Sequence, residues 1–211
     1  MYQPPHFREE SLAVIHALIR DNPLGLLVTS GEGGLVANPI PFILHEEGEK
    51  GTLRCHLARA NPQWRALAAG TEALVVFQGV DRYVTPAWYA KKAADGKVVP
   101  TWNYAIVQAR GSARVIEDAG WLLAHVSALS DTNEADRPEP WAVSDAPDDF
   151  VAAQLRGIVG IEIPIVSIVG KFKASQNRPA ADRQGVVDGL AREGDARSLA
   201  MRDLVKARNG L

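Results

Sequence analysis

Residues 171–179, KFKASQNRP, follow directly on a β-rich run and gather two lysines, a serine, two carboxamides and an arginine around one point of the chain. Lysine and arginine make charge-assisted hydrogen bonds to phosphate, and Gln and Asn can read the edge of a ring that carries both donors and acceptors. This is the chemistry of an anion or heterocycle site, although the same residues would also suit a solvated loop after a buried strand. A second donor-rich segment, HLARANPQW over residues 56–64, runs from a strand end into a helix start, where free N–H groups and the helix dipole attract anions. Arg59 and Asn61 would face such an anion; alternatively Asn61 caps a Pro-started helix and Arg59 lies in solvent. A third cluster holds Tyr83, Pro86, Trp88 and Tyr89, followed by VPTWNY over residues 99–104. Trp102 and Asn103 are flanked there by polar residues, so an indole beside amide donors could stack on a planar cofactor, whereas dense aromatics elsewhere usually pack a core.

Other chemistries lack their signals. No GxGxxG follows the first strand, and no P-loop, HExxH or GxSxG is present. The five histidines, His6, His16, His45, His56 and His125, are scattered without ligand spacing, so no metal site is expected. Gly31 to Gly34 reads as a hairpin turn. Cys55 is the only cysteine, which excludes an intrachain disulfide and suits a reducing compartment, with the thiol used in packing. With 211 residues, 46% hydrophobic, and a net charge of -2, the chain reads as one globular domain over residues 1–211 that does not coat a polyanion. No apolar run reaches the roughly 18 residues needed to span a bilayer, and the opening MYQPPHF lacks a signal-peptide pattern; a cytoplasmic protein without membrane partners is expected.

The elements that must position these residues are mostly strands. Ser11 caps a helix carrying Leu12, Ile15, Leu18 and Ile19, stopped by Asn22-Pro23. Strands over 26–30, 35–44 and 53–57 then form an antiparallel meander, with Pro39 and Pro41 placing the second at an edge or bulge. A short helix over 62–69, strands over 72–78 and 104–116, and a helix over 121–129 follow. Residues 130–149, acidic and rich in Pro, read as a connection before a helix over 150–156. Alternation of Val159, Ile161, Ile163 and Ile165 gives a central strand, and Val166 and Ile168 in the opposite phase place a bend near Ile165. A basic C-terminal helix over about 198–208 closes the pattern, with Leu199, Leu204 and Val205 on one side. The whole is mainly β with peripheral helices, and favours a closed or split barrel over a doubly wound sheet.

In order, MYQPPHF, HLARANPQW, YVTPAWY, VPTWNY, Pro140-Trp141, IVGIEIPI and KFKASQNRP resemble the PaiB family, also described as FMN-binding negative transcriptional regulators. The resemblance spans nearly the whole chain. It implies the FMN-binding split β-barrel related to pyridoxamine phosphate oxidases and flavin reductases, and a homodimer with flavin sites at the interface. It further implies FMN as cofactor, its phosphate held by basic and hydroxyl groups near strand ends; by position, Arg59 and Lys173 are the phosphate candidates, and His56 and Asn61 could hydrogen-bond the phosphate or ribityl chain. Trp102 and Asn103 would flank the ring, and Gln176 and Asn177 would reach its polar edge. Two positions depart from the family pattern: Asn38-Pro39, where many relatives would have Thr-His, and Cys55, where glycine is common.

Two functions follow from this resemblance. One is a flavin-sensitive dimer that represses transcription by contacting DNA or a regulatory protein; no helix-turn-helix is visible, so DNA contact would need the basic C-terminal helix. The alternative is an FMN-dependent oxidoreductase acting on an unidentified small molecule, in which Lys171 or Lys173 stabilises the reduced ring. No acid–base pair identifies catalytic residues. A fold that has lost flavin and binds another planar ligand such as haem is a third reading.

Overall fold

The structure is a computed structural model that describes residues 1–31 and 33–211. In chain order the elements are β1 (Arg8–Glu9), α1 (Leu12–Asp21), β2 (Leu24–Gly31), β3 (Gly34–Pro41), β4 (Ile43–His45) and β5 (Thr52–Ala58). They continue as α2 (Gln63–Ala68), β6 (Glu72–Val84), α3 (Ala90–Asp95), β7 (Thr101–Ser112), β8 (Arg114–Ile116), α4 (Ala119–Glu134) and α5 (Asp148–Arg156). The last are β9 (Ile158–Pro164), β10 (Ser167–Lys173), α6 (Ala180–Glu193) and α7 (Ala196–Asn209). Of the turn expected at Gly31 to Gly34, Glu32 lies outside the described residues. The chain forms two compact units: Met1–Leu18 with Gln78–Val107 and Val169–Leu211, and Ile19–Phe77 with Gln108–Ile168.

In the second unit β2 pairs antiparallel with β3 and with β6, leaving β3 at the edge where Pro39 and Pro41 need donate no ladder bond. The run read as a single strand over 35–44 is two strands in two sheets. After Pro41, Phe42 turns its N–H to the Pro23 carbonyl at 2.9 Å, and β4 then pairs with β5. The simple meander is thus corrected: a proline-rich crossing moves the chain into a sheet of order β4-β5-β9-β8. Both faces of β9 are covered, and Val159, Ile161 and Ile163 join Leu53, Leu57, Val75 and Phe77 in the core. Each such side chain contributes about 1.5–3 kcal/mol by leaving water. At Gly160 a Cβ would come within 2.4 Å of the Trp121 ring, so that strand position must be glycine for α4 to lie against it. The expected bend appears as a break between β9 and β10, where the Ile165 and Val166 N–H groups turn to the Gly51 and Arg110 carbonyls.

The first unit carries the strand order β1-β10-β7-β6 and the helices α6 and α7. Its core joins Val84, Tyr89 and Ala174 to Val186, Val187 and Leu190 of α6 and to Met201 and Val205 of α7. The sequence gives no apolar period for α6 because its packing face is partly made of missing side chains. A Cβ on Gly185 would lie 1.9 Å from the Trp88 carbonyl oxygen, and one on Gly189 2.3 Å from the indole. The Asp195 carboxylate caps α7 by accepting from the Arg197 and Ser198 N–H groups, both at 3.1 Å, which starts that helix two residues before the expected 198.

Candidate functional site

The end of β10 and the start of β7 are neighbours in the first unit, and their side chains interlock. Lys173 Nζ donates to the Thr101 hydroxyl and, at 2.6 Å, to the Trp102 carbonyl, and lies 5.9 Å from the Tyr104 ring centre. Burial holds the Lys173 pKa below its ordinary value, and the positive charges of Lys171 and Arg178 add to this. An anion at this point would relieve that repulsion. Lys171 is buried, donates to the Tyr2 carbonyl at 3.1 Å, and sits between the Tyr2 and Tyr104 rings. Asn103 is fully buried; its Nδ2 donates to the Ser175 hydroxyl at 2.9 Å, while its Oδ1 accepts from no described group. Ser175 takes φ 64°, the left-handed conformation that lets the chain turn sharply after β10. Trp102, 54% exposed, meets the half-exposed Tyr83 edge to face at 5.9 Å between ring centres.

Gln176 closes the turn on itself, accepting from the Ala174 N–H at 2.7 Å and donating to the Phe172 carbonyl at 2.6 Å. Asn177 is exposed. Arg178, next to Asn177 and not itself expected as a contact, lays its guanidinium 4.6 Å above the Tyr89 ring centre.

In the second unit the 56–64 segment is arranged differently. Arg59 Nη1 donates to Glu117 at 3.2 Å, Nε to the Arg156 carbonyl at 3.1 Å and Nη2 to the Ile158 carbonyl at 3.3 Å. Its own N–H donates to the Gly157 carbonyl at 2.8 Å, so Arg59 fastens β5 to the turn that opens β9. Asn61 Oδ1 accepts from the Gln63 N–H at 3.0 Å, in the manner of a helix-start turn, and α2 is only six residues long. Gln63 is buried and donates to the Leu27 carbonyl at 3.0 Å, while its Oε1 accepts from Asn38 Nδ2 at 2.9 Å. Asn38, a departure from the family pattern, therefore helps fix α2 on β2 and β3.

His56 packs edge to face on His125 with ring centres 5.4 Å apart, and His125 stacks on Trp121 at 5.2 Å. His56 Nδ1 and both nitrogens of His125 are enclosed without a described partner. Burial, followed by the charges of His56, His45 and Arg54, pushes the His125 pKa down to about 4, and burial also lowers that of His56. Nearby, the buried Glu162 receives Arg54 Nε at 2.7 Å and Arg114 Nη2. Its burial favours the neutral acid, but these two guanidinium groups outweigh it and lower the pKa. Cys55 is buried, and burial pushes its thiol pKa far up, as a packing residue should be.

Of the expected contacts, the structure thus brings Trp102, Asn103, Lys173 and Gln176 together in one unit and His56, Arg59 and Asn61 together in the other. Ser175, Lys171, Arg178 and Tyr83 join the first group, and His125 the second. For the first three the signal was membership of the KFKASQNRP block; for His125 no local pattern exists, since 69 residues separate it from His56. No group of three or more metal-ligating side chains occurs among the described residues. None of their helices is long and apolar enough to cross a membrane.

Residues 1–167 match the family described as "Putative FMN-binding domain". The chain is 34% identical to an uncharacterised protein of Aspergillus fumigatus over 257 residues, covering 100% of this chain and 98% of that protein. It is 29% identical over 206 residues to the Bacillus subtilis protein named "Protease synthase and sporulation protein PAI 2", covering 98% of this chain and 97% of that one. Among solved structures, a Mycobacterium smegmatis FAD and heme binding protein superposes with a TM-score of 0.59 at 21% identity, over 79% of this chain and 73% of its own. A conserved hypothetical protein from Mycobacterium tuberculosis gives 0.58 at 14%, over 85% of this chain and 94% of its own. Such low identities speak to fold alone, and the fold is the split β-barrel with peripheral helices. The chain belongs to the FMN-binding split-barrel family that includes the PaiB-type proteins, and FMN is the cofactor this membership assigns to it.

Proposed function

We propose that this protein holds FMN at the first unit's aromatic and basic patch, and that the flavin's presence or redox state biases a homodimer that acts as a negative regulator of transcription. The observation that carries this reading is the meeting of exposed Trp102, edge-on to Tyr83, with Lys173, anchored at the carbonyl of that same Trp102. The indole offers a stacking face, and Lys173 offers a cation next to it, while the fully buried Asn103 on β7 ties that strand to the turn through Ser175. Asn177, exposed in that turn, is the contact proposed for the ring's polar edge, with Gln176 holding the turn in shape through Ala174 and Phe172. Of the contacts expected in the second unit, Arg59 is engaged with Glu117 and two carbonyls and Asn61 with the Gln63 N–H, which makes Lys173 the cation proposed for the phosphate. A homodimer would let flavin sites form between subunits.

Regulation through a protein partner is favoured over direct DNA contact by the state of α7. Arg197 pairs with Asp81 at 3.1 Å, Arg202 with Asp203 at 2.8 Å, and Arg208 with Glu9, so three of its guanidinium groups already meet carboxylates. Polyanion binding needs cations free to replace counterions. The test is gel filtration with and without FMN, together with promoter-DNA titration at several salt concentrations. A dimer whose size or stability responds to FMN supports the reading; a monomer indifferent to FMN sinks it.

A second reading is an FMN-dependent oxidoreductase. Bound flavin supplies hydride and electron transfer, and Lys173 and Lys171 beside the ring would favour its reduced, anionic form. Oxidation of NAD(P)H by the FMN-loaded protein, with no DNA present, would favour this reading over the regulatory one.

A further inference from the structure

Helices α4 and α5 and the connection between them enclose a cleft of about 250 Å³ in the second unit. Trp141 and Phe150, both about half exposed, are its aromatic lining residues, and among mostly aliphatic neighbours the polar side chains are His56, Ser130 and Gln154. No Asp, Glu, Lys or Arg lines it, so nothing there would compensate a charged ligand. His56 is one of the lining side chains, and its Nδ1 is enclosed without a described partner. Behind it His125, 95% removed from solvent and stacked on Trp121, holds the imidazole edge to face while neither of its own nitrogens has a described partner. Buried polar atoms are normally matched, and this imidazole pair at the wall of an apolar cleft is not.

We propose that this cleft is a second binding site, for a neutral, flat molecule of one or two fused rings bearing a hydroxyl or carbonyl, held against Trp141 and Phe150 and hydrogen-bonded by the His56 imidazole. The size decides against a cofactor. Clefts that take drug-sized ligands measure roughly 300–1,000 Å³, and this one is smaller and offers no cation for a phosphate. Neutral His56 can donate to a carbonyl or accept from a hydroxyl, depending on its tautomer. The inference rests on FMN being held by the first unit's patch and not at His56, and competition by FMN separates the failure of that reading from a simple failure of the probe to bind.

The test uses 2-naphthol as probe on the full chain, followed by calorimetry and by long-range proton–nitrogen NMR of the imidazoles. Saturable binding is expected, with the His56 ring nitrogens shifted. Trp141→Ala and Phe150→Ala, at half-exposed positions where folding is not threatened, should each weaken it about tenfold. The anion 2-naphthoate should bind more weakly than 2-naphthol by about tenfold or more, and FMN should not displace the probe. No saturation up to the solubility limit, unchanged binding in both aromatic variants, or displacement by FMN would each overturn the proposal.

Discussion

Two segments of this chain look alike as strings and differ as structures. HLARANPQW and KFKASQNRP both follow strands and both combine cations, carboxamides and a proline. In the first, fold-building uses up the polar groups: Arg59 donates to Glu117 and two carbonyls, Asn61 Oδ1 accepts from the Gln63 N–H, and the Trp64 indole N–H donates to the Arg59 carbonyl at 3.0 Å. In the second, Lys173 is held by neutral oxygens only, pressed by two like charges, beside an exposed indole and an orphaned carboxamide oxygen. Composition tells where donors are; only tertiary structure tells whether carboxylates and carbonyls have already claimed them.

The largest effect should come from the histidines behind the first segment. A folded His125 pKa near 4 against an ordinary value of 6.5 means that the unfolded chain binds the proton first as pH falls. Stability is therefore full above about pH 6.5 and declines toward pH 4, by about 3 kcal/mol. Urea unfolding at pH 7.5 and 4.5 measures this, and His125→Phe should flatten the slope; an unchanged slope would mean the histidine is solvated. For the second segment, Lys173→Ala should weaken FMN binding by about 1.5–3 kcal/mol, the worth of a charge-assisted bond, while leaving the midpoint of thermal unfolding nearly in place. Arg59→Ala should behave in the opposite way, costing about 1 kcal/mol of stability with little change in FMN affinity. A variant that keeps its stability but loses FMN would reverse the comparison and return Arg59 to the phosphate. The smallest change is expected of Asn61→Ala, at about 0.5–1 kcal/mol of stability from the lost helix-start acceptor, read in the same denaturation series.

Strand content was legible because alternation survives in sequence: Val159, Ile161 and Ile163 are buried as their period demands, and the change of phase at Val166 marks a true break. What could not be read were elements whose packing depends on absence or distance. Helix α6 docks through Gly185 and Gly189 against Trp88, so it shows no apolar stripe. The switch of sheets at Phe42 combines the prolines of the crossing with a bond from the Phe42 N–H to the Pro23 carbonyl, a partner 19 positions away that the run itself does not announce. Within the candidate site, the left-handed Ser175 and its bond to Asn103 join residues 72 positions apart, which the block 171–179 alone does not announce. The pairing of His56 with His125 is likewise a product of the β5–α4 contact, which no spacing rule announces.

The central claim is that the Trp102–Lys173 patch holds the flavin, and FMN titration of the wild-type chain alongside Trp102→Leu, followed by visible absorption after gel filtration, tests it most directly. Trp102 is half exposed, so the variant should fold as the parent does. The account predicts a flavin spectrum travelling with the wild-type protein and strongly reduced in the variant; equal flavin in both would place the cofactor elsewhere and contradict it.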